Sequence, residues 1–177
     1  DLALEHVDDL HEKGYEVFLN LMAYTHIEKR EIVQILNKID KSKKKLKAFY
    51  FSDSFGSLYP NSIKEITNVI KEHTDIKIGF HGHNNLQMAF ANALTAVENG
   101  VTFIDSSLYG QGRGAGNLPT EIISAYLDAN SNKHFDMKKI ISIIESTFIG
   151  CSSKVTWGYN IDTFLSAMDD SMYEAKN

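Results

Sequence analysis

The sequence predicts an α/β fold: the C-terminal portion of a (β/α)8 TIM barrel, parallel strands alternating with helices, with the N-terminal strands missing. Three observations predict it. Apolar, strand-like runs alternate with helical patterns in four successive units spaced about 25–33 residues apart. That order lays down a parallel sheet with helical crossovers. The runs "FLNLMA" and "IKIGF" are mostly apolar, as expected where both sheet faces are covered. Polar residues collect after every strand: Asn20 and Thr25, then Asp53 and Ser54, then His81 and His83, then Asp105, Ser106 and Ser107. A barrel gathers all its strand C-termini around one mouth, whereas an open sheet uses mainly one switch point.

The elements follow in order. "LALEHVDDLHEKG" carries apolar residues at Leu2, Leu4, Val7 and Leu10 and a stop at Gly14, so it reads as the end of a helix. The chain does not start with Met, and a cut or missing upstream residues are expected. Residues 15–23 read as a strand. Residues 27–39 form an amphipathic helix, with Ile32, Ile35, Leu36 and Ile39 inward and Lys29, Arg30 and Lys38 turned away. A strand at 47–53 precedes a helix at 60–73 that has Pro60 in its first turn. A strand at 76–82 leads to a helix at 85–100, closed by Gly100. A strand at 101–108, the stretch "YGQGRGAGN" and a helix from about Pro119 to Leu127 complete the repeating part. Beyond it lie a helix at 136–148, a short β-like "KVTW" and a closing helix near 161–170. Residues 1–150 are thus expected to form a partial TIM-barrel catalytic domain, and 151–177 a C-terminal strand and helix extension. A complete barrel takes ~250 residues, so roughly the first three strands are expected outside this sequence.

Composition narrows the function. Of 177 residues, 43% are hydrophobic and 23% charged, with a net charge of −5, which disfavours a nucleic-acid partner. The one basic cluster, "DKSKKKLK", reads as a solvated connector. Cys151 is the only cysteine, which excludes an internal disulfide and fits a reducing, cytoplasmic setting. No apolar run reaches the ~18–20 residues of a membrane span, and no signal peptide is visible.

Several constellations could carry chemistry, and each has a plainer reading. His81 and His83 lie at i and i+2, so both can face one point, and neutral imidazole suits divalent first-row metals. They could equally be polar residues where a strand becomes a loop. "GQGRGAGN" has four glycines in eight residues. It reads as a flexible loop, a substrate cover or an anion cradle of backbone N–H groups, and it matches no P-loop. "SDSFG" is either a substrate-facing carboxylate and hydroxyl or a tight turn. Asp105 could orient a histidine or hold the loop. Trp157 reads as a core or interface anchor.

The segment "GFHGHNNLQMAFANALTAVENGVTFIDSSLYGQGRGAGNLPTE" (79–121) resembles the signature of the metal-dependent pyruvate-type aldolase and lyase superfamily, the HMG-CoA lyase-like TIM barrels. "SDSFGSLYP" is similar to that family's D-[ST]-x-G-x-x-x-P turn. "WGYNIDTFLSA" is similar to the region after the barrel in its hydroxy-oxovalerate aldolase branch. The resemblance implies that His81, His83 and Asn117 are metal ligands and that Ser54, Asp53 and Gly114 bind substrate. It also implies that Tyr159 is a catalytic tyrosine near the metal. The implied ion is Mn²⁺ or Mg²⁺, or else Zn²⁺ or Co²⁺. The implied reaction cleaves a 4-hydroxy-2-oxo acid to pyruvate and an aldehyde, with small-molecule 2-oxo acids as partners and a homo-oligomeric state.

One departure stands out. The family carries an arginine and an aspartate on its first strand, the aspartate being the third protein ligand. The only arginines here are Arg30 and Arg113, and neither lies in such a motif. The chain by itself is therefore expected to be inactive. The same residues also admit two alternatives: a Claisen-condensing synthase of the 2-isopropylmalate type, and a non-catalytic degenerate barrel. The glycine loop lacks the cysteine of the CoA lyases, which disfavours a CoA thioester. An open-sheet nucleotide-binding domain would instead require phosphate binding at 110–117.

Overall fold

The longest strand, Leu46–Asp53, lies inside the sheet and organises it. The computed structural model describes residues 2–149, 156–159 and 161–174, with side chains through Asp169. The order of elements is α1 (Leu2–Glu12), β1 (Val17–Leu21), α2 (Lys29–Ser42), β2 (Leu46–Asp53), α3 (Pro60–His73) and β3 (Ile78–Gly82). Then follow α4 (Ala89–Glu98), β4 (Phe103–Ile104), α5 (Thr120–Asn130), α6 (Met137–Thr147) and α7 (Ile161–Glu174).

The four strands make one sheet in the order β1-β2-β3-β4, every pair parallel. Each crossover runs through a helix, as parallel pairing requires. The architecture is therefore part of a TIM barrel. Four described strands are half of an eight-stranded barrel. Of the expected "KVTW" strand, Lys154 and Val155 lie outside the described residues, and Thr156 and Trp157 are in no strand.

The two faces of the sheet have different fates. Phe49, Phe51, Ile78 and Phe80 point toward the helices and are buried against Leu36, Ile39, Ile63 and Ile70. Phe51 sits between Tyr24 and Phe80, at ring separations of 6.0 and 5.1 Å. Burying each such side chain contributes about 1.5–3 kcal/mol. The opposite face is the concave one. Register sets Asn20 beside Tyr50, Tyr50 beside Gly79, Ser52 beside His81 and Gly79 beside Phe103. This face stays open, and Phe18 on it remains 44% exposed.

Two expected boundaries moved for identifiable reasons. The helix expected from residue 85 starts at Ala89, because the Asn84 side chain accepts from the Ala89 amide at 3.1 Å and Gln87 takes φ 59°. The strand expected over 101–108 keeps only Phe103–Ile104 in the ladder. Among the described residues its one neighbour is β3, and beyond Ile104 the backbone turns to meet the glycine loop.

Candidate active site

The C-terminal ends of β2, β3 and β4 converge at one mouth, and backbone bonds weld them together. The His83 amide donates to the Asp53 carbonyl at 3.2 Å, and the Leu118 amide to the Gly82 carbonyl at 3.2 Å. The glycine loop folds back so that Asn117 forms an antiparallel bridge with His83. Gly116 makes this return possible. Its φ is 95°, and an added Cβ would lie 2.1 Å from the Gly110 carbonyl oxygen, a position only glycine occupies without strain.

The loop is a folded piece. The amides of Gly110, Gln111, Ala115, Gly116 and Asn117 all donate to protein oxygens. The Asn85 side chain ties the loop down, donating to the Phe55 carbonyl at 2.9 Å and accepting from the Ala115 amide at 2.9 Å. Arg113 reaches the other way and donates to the Ser54 carbonyl at 2.8 Å. Neither residue was given a structural role from sequence.

The two histidines meet edge to face, with ring centroids 5.3 Å apart. His81 Nδ1 lies 3.2 Å from Asp105 Oδ2. A carboxylate is an acceptor only, so Nδ1 carries a proton. Burial, then the charges of His81 and Arg113, hold His83 below the usual histidine range, so it stays neutral near pH 7. Asn117 donates through Nδ2 to the Gln111 carbonyl at 2.9 Å, while its buried Oδ1 has no hydrogen-bond partner. An unpaired buried oxygen costs about 1–3 kcal/mol, which a ligand would relieve.

The remaining sequence candidates lie around this centre. Asp53 is buried, and its two oxygens accept from the Ser57 amide at 3.0 Å and the Leu58 amide at 3.2 Å. Ser54 Oγ accepts from the Ala23 amide at 2.8 Å. These are the contacts of the turn reading. Gly114 takes φ 64°, and its carbonyl accepts from the Gly158 amide at 3.3 Å. Tyr159 is 61% exposed and leans on Phe164. Trp157 donates to the Tyr109 carbonyl at 2.8 Å and packs with Tyr109 and Phe148, which is an anchoring role. Among the described residues no three His, Cys, Asp or Glu side chains converge as a metal group, and no helix is long and apolar enough to cross a membrane.

Inside the mouth, sequence reasoning missed Tyr50. It was legible only as one more apolar position in "KAFYFSD", yet it shares the concave face with His81. Ser52 donates to Asn20 Oδ1 at 2.7 Å on the same face.

Comparison with known proteins places this geometry. The chain is 36% identical over 149 residues to a 4-hydroxy-2-oxovalerate aldolase of Bacillus thuringiensis (strain Al Hakam), covering 82% of this chain and 42% of that protein. It is 31% identical over 163 residues to an oxaloacetate decarboxylase of Mycobacterium tuberculosis (strain ATCC 25618 / H37Rv), covering 92% and 47%. The chain thus spans less than half the length of these curated relatives. A crystallised N-terminal domain of a Bacteroides vulgatus protein, provisionally assigned as an aldolase, superposes with a TM-score of 0.86 at 32% identity. That match covers 98% of this chain and 57% of the other. A family profile described as HMGL-like matches residues 1–146, and the chain belongs to the HMGL-like family.

Proposed function

We propose that this chain carries half of the active site of a divalent-metal-dependent carbon–carbon lyase, one that cleaves a 4-hydroxy-2-oxo acid to pyruvate and an aldehyde. The observation that carries the reading is the pairing of two oriented imidazoles with the unpartnered, buried Oδ1 of Asn117. The relatives' names support it, because each denotes breaking a carbon–carbon bond in a 2-oxo acid.

The donor set fits a divalent cation. His81, His83 and Asn117 would hold it, and mixed nitrogen and oxygen ligation suits Mn²⁺ or Mg²⁺, with Zn²⁺ or Co²⁺ as alternatives. When bound, the ion supplies Lewis acidity at the oxo and carboxylate oxygens of the substrate. The chain's own residues do the rest. Asp105 fixes the His81 tautomer, and Arg113 brings a positive charge to a mouth that must receive an anionic acid. Asp53 and Ser54 hold the turn that shapes the mouth, and Gly114 lets the loop lie against Asn85. Tyr159 serves as the proton donor or hydrogen-bond partner. The aspartate ligand belongs to the first-strand motif absent from this sequence, and the base for the 4-hydroxyl proton also lies outside it, so this chain alone should show no turnover. The lone cysteine supports a cytoplasmic setting.

The test is Mn²⁺ titration by EPR and pyruvate release, both in the full-length protein, comparing wild type with His81→Ala/His83→Ala. Affinity and turnover should both collapse. A double variant that binds Mn²⁺ and turns over normally would show that these histidines are not ligands.

A further inference from the structure

We infer that Ser107 is a positioning residue for Asn117, acting through the Gln111 carbonyl, and that Gly112 leaves the room in which it does so. Ser107 follows β4, and its backbone is fixed at both ends. Its amide donates to the Leu118 carbonyl at 3.0 Å, and its carbonyl accepts from the Gly110 and Thr120 amides at 3.1 and 2.9 Å. The hydroxyl carried on that fixed backbone donates to the Gln111 carbonyl at 2.6 Å. Asn117 Nδ2 donates to the same carbonyl at 2.9 Å. A carbonyl oxygen has two lone pairs, and these two donors take both.

The shared carbonyl decides which end of the Asn117 amide is left over. Turning the amide over would set Oδ1 against the Gln111 oxygen, acceptor against acceptor. Held as it is, the amide keeps Nδ2 on Gln111 and leaves Oδ1 buried and unpaired. That oxygen can face a cation, whereas an NH₂ group presents only hydrogens. Gln111 itself is exposed at the loop tip, so water competes for its carbonyl. Without the Ser107 hydroxyl the peptide is free to turn, and the Asn117 amide turns with it. Gly112 supplies the space, because a Cβ on it would lie 2.6 Å from Asn117 Nδ2 and 2.7 Å from Cγ. The consequence for metal binding rests on the proposed role of Asn117. Removal of such an outer hydrogen-bond partner typically costs 10–100-fold in metal affinity or activity.

The test uses the full-length protein, metal-free and labelled with ¹⁵N-asparagine. The side-chain NH₂ signal of Asn117 is assigned by its loss in Asn117→Ala. Wild type should show this signal slow to exchange with solvent. Ser107→Ala removes only the hydroxyl, and it should shift the signal and speed its exchange. In a parallel EPR titration it should lower Mn²⁺ affinity about tenfold. Ser107→Thr restores a hydroxyl and should return both readouts toward wild type. Gly112→Ala should also shift the signal although the hydroxyl remains, because the added methyl meets the Asn117 side chain rather than backbone. An Asn117 signal unmoved in both Ser107→Ala and Gly112→Ala would overturn the inference, whatever the metal affinity. Failure of the metal reading appears separately, as unchanged Mn²⁺ affinity in Asn117→Ala.

Discussion

Replacing Asp53 separates a turn-holding carboxylate from a substrate contact. Its oxygens accept from the amides of Ser57 and Leu58, both residues fully buried. No water can replace the lost partner at either site. A hydrogen bond to a charged group contributes about 1.5–3 kcal/mol, and an orphaned buried donor costs about 1–3 kcal/mol. Asp53→Ala removes both bonds at once, and because they share one anchor their sum is not additive. The expected loss is about 3–5 kcal/mol, which at an m-value of about 3 kcal/mol/M lowers the urea midpoint by about 1–1.5 M. Asp53→Asn keeps one acceptor and turns a donor toward the other amide, for an expected loss of about 2 kcal/mol. The assay is urea unfolding of the full-length protein followed by circular dichroism, with pyruvate release measured in parallel. If Asp53→Asn stays within about 0.5 kcal/mol of wild type yet loses turnover, the carboxylate touches substrate and the turn argument is refuted.

Other outcomes follow from the same geometry. His83 titrates below its ordinary 6.5. Its contribution to stability and to Mn²⁺ binding should hold above pH 6.5 and disappear as pH falls through the lowered value, which EPR titration between pH 5 and 8 checks. Arg113→Met removes one cause of that depression, so the same fall should begin at higher pH. Phe51→Ala opens a cavity between Tyr24 and Phe80 and should cost about 3–5 kcal/mol in thermal unfolding. The chain expressed alone leaves β1 and β4 with unpaired sides. Light scattering should then report self-association, and a monodisperse monomer would count against it.

The repeating part of the fold was legible because both of its periods were strong. α3 spans Pro60–His73, the stretch its apolar stripe and leading proline marked. β4 was not legible in extent, because strand length depends on a partner and sequence pattern carries no information about edges. In the site, His81 and His83 were legible through their spacing, and Asn117 through its motif. Tyr50 was hidden because its place over the sheet arises from a glycine on another strand. Asn84 and Asn85 were hidden for a different reason. Their side chains bond to local and distant backbone, which a helical pattern cannot distinguish from solvent exposure.

The open concave face has a consequence for how amides exchange with solvent. β2 and β3 are paired on both sides, and their helix-facing side chains are closed off within this chain. Their N–H groups should open only with global unfolding and exchange slowest. Among the described residues β1 and β4 have one neighbour each, and their outward amides should exchange through local fraying. The protection map would then run from slow in the middle to fast at both margins. Asp105 follows the fast margin, whereas His81 sits on the slow centre. The carboxylate that aims the histidine is thus drawn from a less protected part of the sheet than the histidine it aims.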